Sequence, residues 1–413
     1  MQTYSAFEYL CIDIANQYGL DKALFPDRIT WVLDNINRLE YLDTPKKERP
    51  LYLKAVQTLR KTQYSEPTGH LVGLDACCSG MQIMSVLSGC VEGCKATNLI
   101  NTGERRDAYT EVTKAAAIEL GEAIHVTRAD IKEAQMTHLY GSKKIPKELF
   151  GPDSDELAAF YEANWVVCPG ANEVLQDLLG SWQPYALTHG WKLPDNGHAR
   201  VKVMEKVECR IEVDELDHAT FSYEYYINCG VKKDVKNAAN VIHSIDAYIL
   251  RSMHRRCNYD AEALNNFGRL TITERQRRNL GGQANEVEAV TLPHHVYMER
   301  YEATQMVDSV IFDYLNKDTI KDLSNRHMTA LWNLYLRMSE YQPFELVTVH
   351  DEFKCHPKNC NYMRQTYIDL FAELAESRVL EDIFLQLTGH ECYYENKLEG
   401  LGDLIRQSEY ALS

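Results

Sequence analysis

At 413 residues, with 45% hydrophobic and 25% charged side chains, the chain has the composition of an ordinary globular protein large enough for two or three domains. No apolar run approaches the roughly 20 residues that a bilayer requires, and the opening Met1-Gln-Thr-Tyr-Ser-Ala-Phe-Glu8 has no basic stretch followed by an apolar one, so the expectation is a cytoplasmic protein with no membrane partner. Twelve cysteines in a chain of this size read as reduced thiols, and a net charge of −16 excludes a general nucleic-acid coat while leaving room for a local basic cleft.

Residues 6–60 are helical in pattern. Phe7, Leu10 and Ile14 share one face, and Phe25-Pro26-Asp27 opens a second run with Ile29, Val32, Leu33 and Ile36 on one side. His70-Leu-Val-Gly-Leu-Asp75 reads as a strand. Helices are expected over about 79–90, 104–120, 125–140 and 171–182. From 185 to 229 the pattern alternates, in Arg200-Val-Lys-Val-Met204 and Phe221-Ser-Tyr-Glu-Tyr-Tyr-Ile227, with a turn signal at Pro194-Asp-Asn-Gly197; this predicts antiparallel hairpins. Residues 237–256 are helical again and carry His243, Asp246 and Arg251. The stretch 258–341 is expected to be irregular at first, around Arg275-Gln-Arg-Arg278 and Gly281-Gly282, and helical later, as an inserted subdomain. Two short strands flank His350-Asp351, and helices run to the end.

Three of these segments carry chemistry. Gly73-Leu-Asp-Ala-Cys-Cys-Ser-Gly80 and Val347-Thr-Val-His-Asp-Glu352 each set an Asp, Asp75 and Asp351, at the end of an apolar, strand-prone run, so two carboxylates can meet at one sheet edge. Alone, each reads as a turn or capping residue. Together, with Val-His-Asp-Glu in a tight hairpin, they make a rigid pair suited to divalent metal. Arg128, Lys132, Met136 and Tyr140 are spaced by four and share a helical stripe with steps of about 6 Å. That stripe is either a solvated charged face or a track for a triphosphate, with Lys132 placed to protonate a leaving pyrophosphate. Carboxylates for metal, opposed by cations for a triphosphate, are what nucleotidyl transfer requires. Cys355, His356, Cys360, His390 and Cys392 lack the Cys-x-x-Cys spacing of a zinc site, and Cys78-Ser79-Gly80 lacks the flanking glycines of a nucleophile elbow.

These motifs resemble those of the single-subunit RNA polymerases of phages and mitochondria, right-hand polymerases related to family A DNA polymerases. Asp75-Ala-Cys-Cys-Ser-Gly-Met-Gln82 is similar to motif A, Arg128 to Ser142 to motif B, and His350-Asp351 to motif C. The likeness extends to Gly19-Leu-Asp-Lys22 with Phe25-Pro-Asp-Arg-Ile29, Ala96-Thr-Asn-Leu-Ile100 with Tyr109, Trp191 with Pro194-Asp195, Val241-Ile-His-Ser-Ile-Asp246, and the ending Tyr410-Ala-Leu-Ser413. The resemblance implies an α+β right-hand polymerase fold, a palm with an antiparallel sheet plus mainly helical fingers, lacking its own N-terminal domain and thumb. It divides the chain into a helical N-terminal segment and palm with motif A (1–95), fingers with motif B and the hairpin region (96–240), a return toward the palm (241–257), the inserted subdomain (258–341), and palm with motif C and C-terminal tail (342–413).

The same resemblance implies roles. Asp75 and Asp351, with the Ala76 carbonyl, would hold two Mg²⁺ ions. Arg128, Lys132 and Lys22 would hold the triphosphate, with Lys132 as general acid, and Tyr109, Tyr140 and His243 would surround the incoming ribonucleotide. Gly80 stands five residues after the motif A Asp, where family A DNA polymerases carry a Glu that blocks a 2′-hydroxyl, and so implies ribonucleotides. The expected function is DNA-directed RNA synthesis, adding ribonucleoside triphosphates to an RNA 3′-end on a DNA template. The chain begins later than the family's N-terminal domain and thumb, so the expectation includes a second polypeptide, as in phage enzymes split into two subunits, of which this chain resembles the larger. The hairpin region from Val201 to Gly230 takes the place of the promoter-reading loop, yet Glu212-Val-Asp-Glu-Leu-Asp217 is acidic and ill suited to a DNA groove, which predicts an auxiliary DNA-binding partner. The rival readings are a primase-like or family A-like DNA polymerase, which the Val-His-Asp-Glu spelling of motif C favours, and a degenerate, non-catalytic polymerase module.

Overall fold

The computed structural model describes residues 1–413 apart from 46–47, 122–125, 233, 288, 391 and 395–396. The chain opens with helix Ala6–Tyr18, started by a capping box between Ser5 and Glu8 and ended at Gly19, whose φ of 108° suits only glycine. Helices Phe25–Asp34 and Arg49–Gln63 pack on it around Leu10, Ile14, Val32, Tyr52 and Val56. Burial in the first helix runs unbroken from Tyr9 to Ala15, because it is covered by its neighbouring helices on one side and by the sheet on another. Phe7 and Leu33, placed on the apolar faces by spacing alone, are exposed instead.

The described strands are β1 (Val72–Asp75), β2 (Thr188–Lys192), β3 (His198–Lys202), β4 (Glu205–Val213), β5 (Ala219–Ile227), β6 (Val347–Val349) and β7 (Glu352–Cys355). They form an antiparallel sheet in the order β1-β7-β6 and two separate hairpins, β2-β3 and β4-β5. The three-stranded sheet lies against helix Cys360–Glu376, on which helices Lys236–Cys257 and Ser79–Ser88 pack in turn, and Phe353, Tyr367, Phe371, Met84 and Ile245 belong to their shared core. Buried polar groups lock this core. Arg364 donates to the carbonyls of Gln2 and Glu409 and to the Tyr9 hydroxyl, joining both chain ends to helix Cys360–Glu376. Gln82 donates to the carbonyls of Thr97 and Ala411 and accepts from the Tyr367 hydroxyl. Such bonds favour a single arrangement, since breaking one would leave a buried polar atom without its partner.

The expected helices are found at Ser79–Ser88, Ala108–Leu120, Arg128–His138, Pro169–Gly180 and Lys236–Cys257; residue 125, the expected start of the third, lies outside the described residues. Helices Val91–Ala96, Lys144–Phe150 and Asp155–Val167 are additions. The last was signalled, because Ser154 caps it and Asp155 and Glu156 complement its N-terminal dipole. The stretch after 258 departs from expectation more sharply. It starts as a regular helix, Ala261–Asn279, capped by Asp260, and Arg275-Gln-Arg-Arg278 forms its last turn, where Glu274 holds Arg277 and Arg278. This helix, Pro293–Thr304 and Asn325–Met338 surround a separate apolar cluster running from Leu264 to Met338.

His138, at the end of helix Arg128–His138, is wedged against the Phe160 and Tyr161 rings, and its Nε2 faces the Asn172 Oδ1 at 3.3 Å. Burial pushes its pKa down to about 4. The unfolded chain takes this proton near pH 6.5 and the folded chain only near 4, so stability is full above 6.5 and falls by up to about 3 kcal/mol as the pH drops toward 4. In urea unfolding, the advantage of the native chain over His138→Gln is expected to shrink between pH 7 and 4.5; a constant difference would show that His138 does not carry the effect.

Candidate active site

The site is built on the antiparallel pairing of β1 with β7, which sets Asp75 opposite Glu352. β7 is joined to β6 by the two-residue turn His350-Asp351, with His350 at φ 55°. A non-glycine residue in this left-handed region costs roughly 1–3 kcal/mol, and His is among the residues that tolerate it best. The Ala76 N–H donates to the Asp351 carbonyl at 3.2 Å, so the two Asp residues stand side by side at one end of the sheet. Asp75 responds as a buried acid beside like charge. Its pKa is raised to about 6, first by burial and then by Asp351 and Glu352, against the opposing pull of the Ala76 N–H and Lys22. A Cβ on Gly73 would lie 2.2 Å from the Glu352 carboxylate, so a larger residue there would push that side chain aside.

Asp75 and Asp351 open into a cleft of ≈ 410 Å³ whose other walls include Lys22, Tyr109, Arg128, Lys132 and Met136. The helical stripe of the sequence is thus present from Arg128 to Met136, while Tyr140 lies past the helix end, in a turn that uses Gly141 at φ 89°. Lys132 makes no ion pair among the described residues, and its ammonium lies 5.8 Å from the Tyr109 ring centre. Arg128 is engaged. Its Nε and Nη2 both bind the Asp107 carboxylate, at 2.5 and 3.0 Å, a bidentate pair that holds Asp107 below the usual carboxylate range. Lys22 pairs with Asp21 at 2.9 Å.

A second group stands beside the cleft rather than in its lining. The Tyr140 and His243 rings pack at 4.5 Å between centroids, and the Tyr140 hydroxyl lies 3.1 Å from where a Cβ on Gly80 would be. Burial, with Cys78, Asp246 and Asp351 nearby, pushes the Tyr140 hydroxyl up to about 12. The Ala76 carbonyl accepts from the Cys78 N–H at 3.1 Å, which leaves one of its two lone pairs.

Sequence reasoning passed over Asp107, Arg105 and Arg106, and named Asp246 without giving it a role. The basic pair directly before helix Ala108–Leu120 was a usable signal, and both arginines line the cleft. Asp246 lies three residues beyond His243 on the same helix, and burial plus Asp351 raises it to about 6. The C-terminal Ser413 also lines the cleft: its N–H donates to the Asp75 carbonyl and its hydroxyl accepts from Arg105 Nε. Among the described residues, Cys355 and Cys360 lie buried with sulfurs 3.7 Å apart and form no metal cluster. The ligand-type groups that do converge include His294, His295 and Asp322. There the Thr291 and Leu292 N–H groups both donate to His295 Nδ1, so neutral His295 keeps its proton on Nε2 and gives it to Asp322. That nitrogen has no lone pair for a metal, and the trio is a structural clamp.

Residues 2–149 match the family described as DNA-dependent RNA polymerase. The chain is similar to the mitochondrial DNA-directed RNA polymerase of Neurospora crassa, at 26% identity over 164 residues, covering 33% of this chain and 12% of that protein. It is also similar to a probable DNA-directed RNA polymerase of Neurospora crassa, at 29% over 154 residues (32% of this chain, 17% of the relative), and to one of Gelasinospora sp., at 30% over 128 residues (29% and 15%). In each case the matched stretch is under a fifth of the relative's length. The family match takes in Lys22, Asp75, Gly80, Tyr109, Arg128, Lys132 and Tyr140 and stops before His243 and Asp351. Among the described residues no helix is long and apolar enough to cross a membrane, and all twelve cysteines are free.

The raised pKa of Asp75 makes a stability prediction. The protonated form is favoured in the fold, an advantage present below pH 3.8 and lost as the pH rises through about 6, so at neutral pH the ionised carboxylate destabilises the metal-free protein. Asp75→Asn is expected to raise urea stability at pH 7.5 in a chelator by about 1–3 kcal/mol. A loss of stability instead would refute the cost of holding an ionised Asp75 buried beside Asp351 and Glu352.

Proposed function

We propose that this chain is a DNA-directed RNA polymerase of the single-subunit type, with β1, β6 and β7 as its palm and helix Arg128–His138 in its fingers. The observation that carries the reading is the cleft in which Asp75 and Asp351, from segments far apart in sequence, face Lys132 and Arg128. The family match over 2–149 supports it from the sequence side. The finer parts of the proposal are a DNA template and RNA 3′-end, a second polypeptide that grips the duplex, an auxiliary DNA-binding factor, an inserted subdomain at 258–341, and a cytoplasmic setting in keeping with free thiols.

The donor set fits magnesium. Asp75, Asp351 and the Ala76 carbonyl offer oxygen only, and the two neighbouring carboxylates repel until a divalent cation lies between them. When bound, two Mg²⁺ ions would activate the RNA 3′-hydroxyl and neutralise charge on the leaving pyrophosphate. The chain's own groups do the rest. Lys132, with no ion-pair partner among the described residues, holds the triphosphate and donates a proton to the departing pyrophosphate. Arg128 and Lys22 bind phosphate oxygens by exchanging their present carboxylate partners for it. Tyr109 lines the nucleotide space, while Tyr140 and His243 stack beside it. Gly80 leaves room at the sugar, where the Tyr140 hydroxyl is the nearest atom.

The test is extension of a primed RNA–DNA scaffold with Mg²⁺, offering ribonucleotides and deoxyribonucleotides separately. Ribonucleotide incorporation is expected to exceed deoxyribonucleotide incorporation, and Asp351→Asn to fall at least 10³-fold without loss of thermal stability, on the scale of removing a group that acts electrostatically in the transition state. Retained activity in Asp351→Asn would remove the metal assignment, and preferential use of deoxyribonucleotides would favour the DNA-polymerase reading. A side chain at position 80 must grow past the Tyr140 hydroxyl into the sugar space. Gly80→Glu is therefore expected to lower ribonucleotide use selectively, by about tenfold or more; an unchanged ratio between the two sugars would refute the steric argument.

A further inference from the structure

The β4-β5 hairpin is a nine-by-nine residue ribbon, about 30 Å long, in which no residue of either strand is buried. Its two faces differ in kind. Side chains alternate, so residues opposite one another in register share a face: Val207 with Tyr225, Cys209 with Tyr223, Ile211 with Phe221, and Val213 with Ala219. That face is apolar apart from Glu205, which stands opposite Ile227 at the base of the ribbon, while the other carries Lys206, Glu208, Arg210, Glu212 and Glu224 beside Tyr226. The apolar side chains are in water: Ile211 is 47% exposed, Phe221 53%, Tyr223 49% and Tyr225 43%. A two-stranded ribbon is marginal alone, and a contiguous aromatic face on it marks a surface that another body covers.

The charges around this face specify the body. The tip carries Glu212, Asp214, Glu215 and Asp217, with His218 Nδ1 bridging Glu212 and Asp214 at 2.8 and 3.2 Å. Such a tip repels phosphate, so nucleic acid is disfavoured. A net charge of −16 and the same acidic tip also set copies of this chain against each other. We propose that the β4-β5 ribbon is a docking strip for a different protein, whose surface offers an apolar or aromatic stripe rimmed by Lys and Arg. Both outer edges of the ribbon have unpaired backbone groups, so an extended segment of that partner can add as a strand while its alternate side chains meet the Phe221-Tyr223-Tyr225 row. The argument uses only the ribbon and stands apart from the polymerase reading.

The probe is a displayed library of random 12-residue peptides, selected on the purified full chain and on two variants. One, Phe221→Thr with Tyr225→Thr, removes the apolar row while keeping strand-forming residues. The other, Asp214→Lys with Glu215→Lys, neutralises the tip and leaves the row intact. The native chain is expected to enrich peptides that combine Leu, Ile, Val, Phe or Tyr with Lys or Arg. Their affinity should drop at least tenfold in the first variant, and the Lys/Arg bias should disappear in the second. Enrichment that is equal in the native chain and the first variant overturns the proposal. So does sedimentation showing a dimer that the first variant dissociates, which would make the occupant a second copy. Fluorescence anisotropy showing DNA binding that the first variant abolishes would make it nucleic acid, with the same consequence.

Discussion

One backbone crossing holds the cleft together. At the end of β1 the Ala76 N–H reaches the Asp351 carbonyl, the Asp75 carbonyl receives the Ser413 N–H, and Ala76 bridges to Leu412. Three segments drawn from opposite ends of the chain therefore meet within two residues. Main-chain bonds are indifferent to side-chain charge, so the ladder can force Asp75 and Asp351 together although their carboxylates repel. The rise of Asp75 to about 6 records burial first and that repulsion second, together on the order of 3 kcal/mol at neutral pH. The apolar core beneath, with Phe353, Tyr367 and Phe371 fully or almost fully buried, is what makes the strain tolerable.

The same crossing explains why so many buried hydrogen bonds converge on the two chain ends. Arg364 joins Gln2, Tyr9 and Glu409, the Tyr410 hydroxyl accepts from the Phe25 N–H, and Gln82 takes the Ala411 carbonyl. Each fixes a terminal segment that would otherwise fray. With the tail fixed, Ser413 closes the sheet end of the cleft, and Arg105 spans from the Ser413 hydroxyl to the Cys77 sulfur. The tail is therefore structural support for the position of Asp75, whatever else it contacts.

Much of this was legible because the relevant signals are local. A strand ending in Asp, a Val-His-Asp-Glu hairpin and an i, i+4 series of Arg128, Lys132 and Met136 each declare their geometry within a few residues, and the structure places all of them on one cleft. The alternation through 200–227 likewise gave both hairpins. What the sequence hid was pairing across distance. Nothing local to Arg128 says that Asp107, 21 residues earlier, will clasp it. Periodicity also misplaced Phe7 and Leu33, since which arc of a helix is buried depends on how many neighbours pack on it. The glycines and arginines after 258 suggested irregularity, but Glu274 neutralises two of the arginines and the helix continues to Asn279.

The Asp107–Arg128 clasp bears on how the cleft can work. A cleft that binds a polyanion needs cations, yet an uncompensated cluster of Arg and Lys around half-buried carboxylates would be unstable when empty. Here the cations are provisionally neutralised: Arg128 by Asp107 and Lys22 by Asp21, with Lys132 left over the Tyr109 ring. On the proposed polymerase reading, an incoming triphosphate, with more charge and more acceptor oxygens than one carboxylate, would displace Asp107 from the guanidinium and gain Lys132 as well. Asp107 also directly precedes helix Ala108–Leu120 and accepts from the Thr110 hydroxyl, so the exchange would be felt at the start of the helix that carries Tyr109. On the proposed reading, phosphate recognition and the placement of Tyr109 would thus be joined through the Asp107 carboxylate. On that reading a substitution at Asp107 acts on Arg128 and on the helix start together, and one at Lys132 removes a phosphate ligand and a contact with the Tyr109 ring.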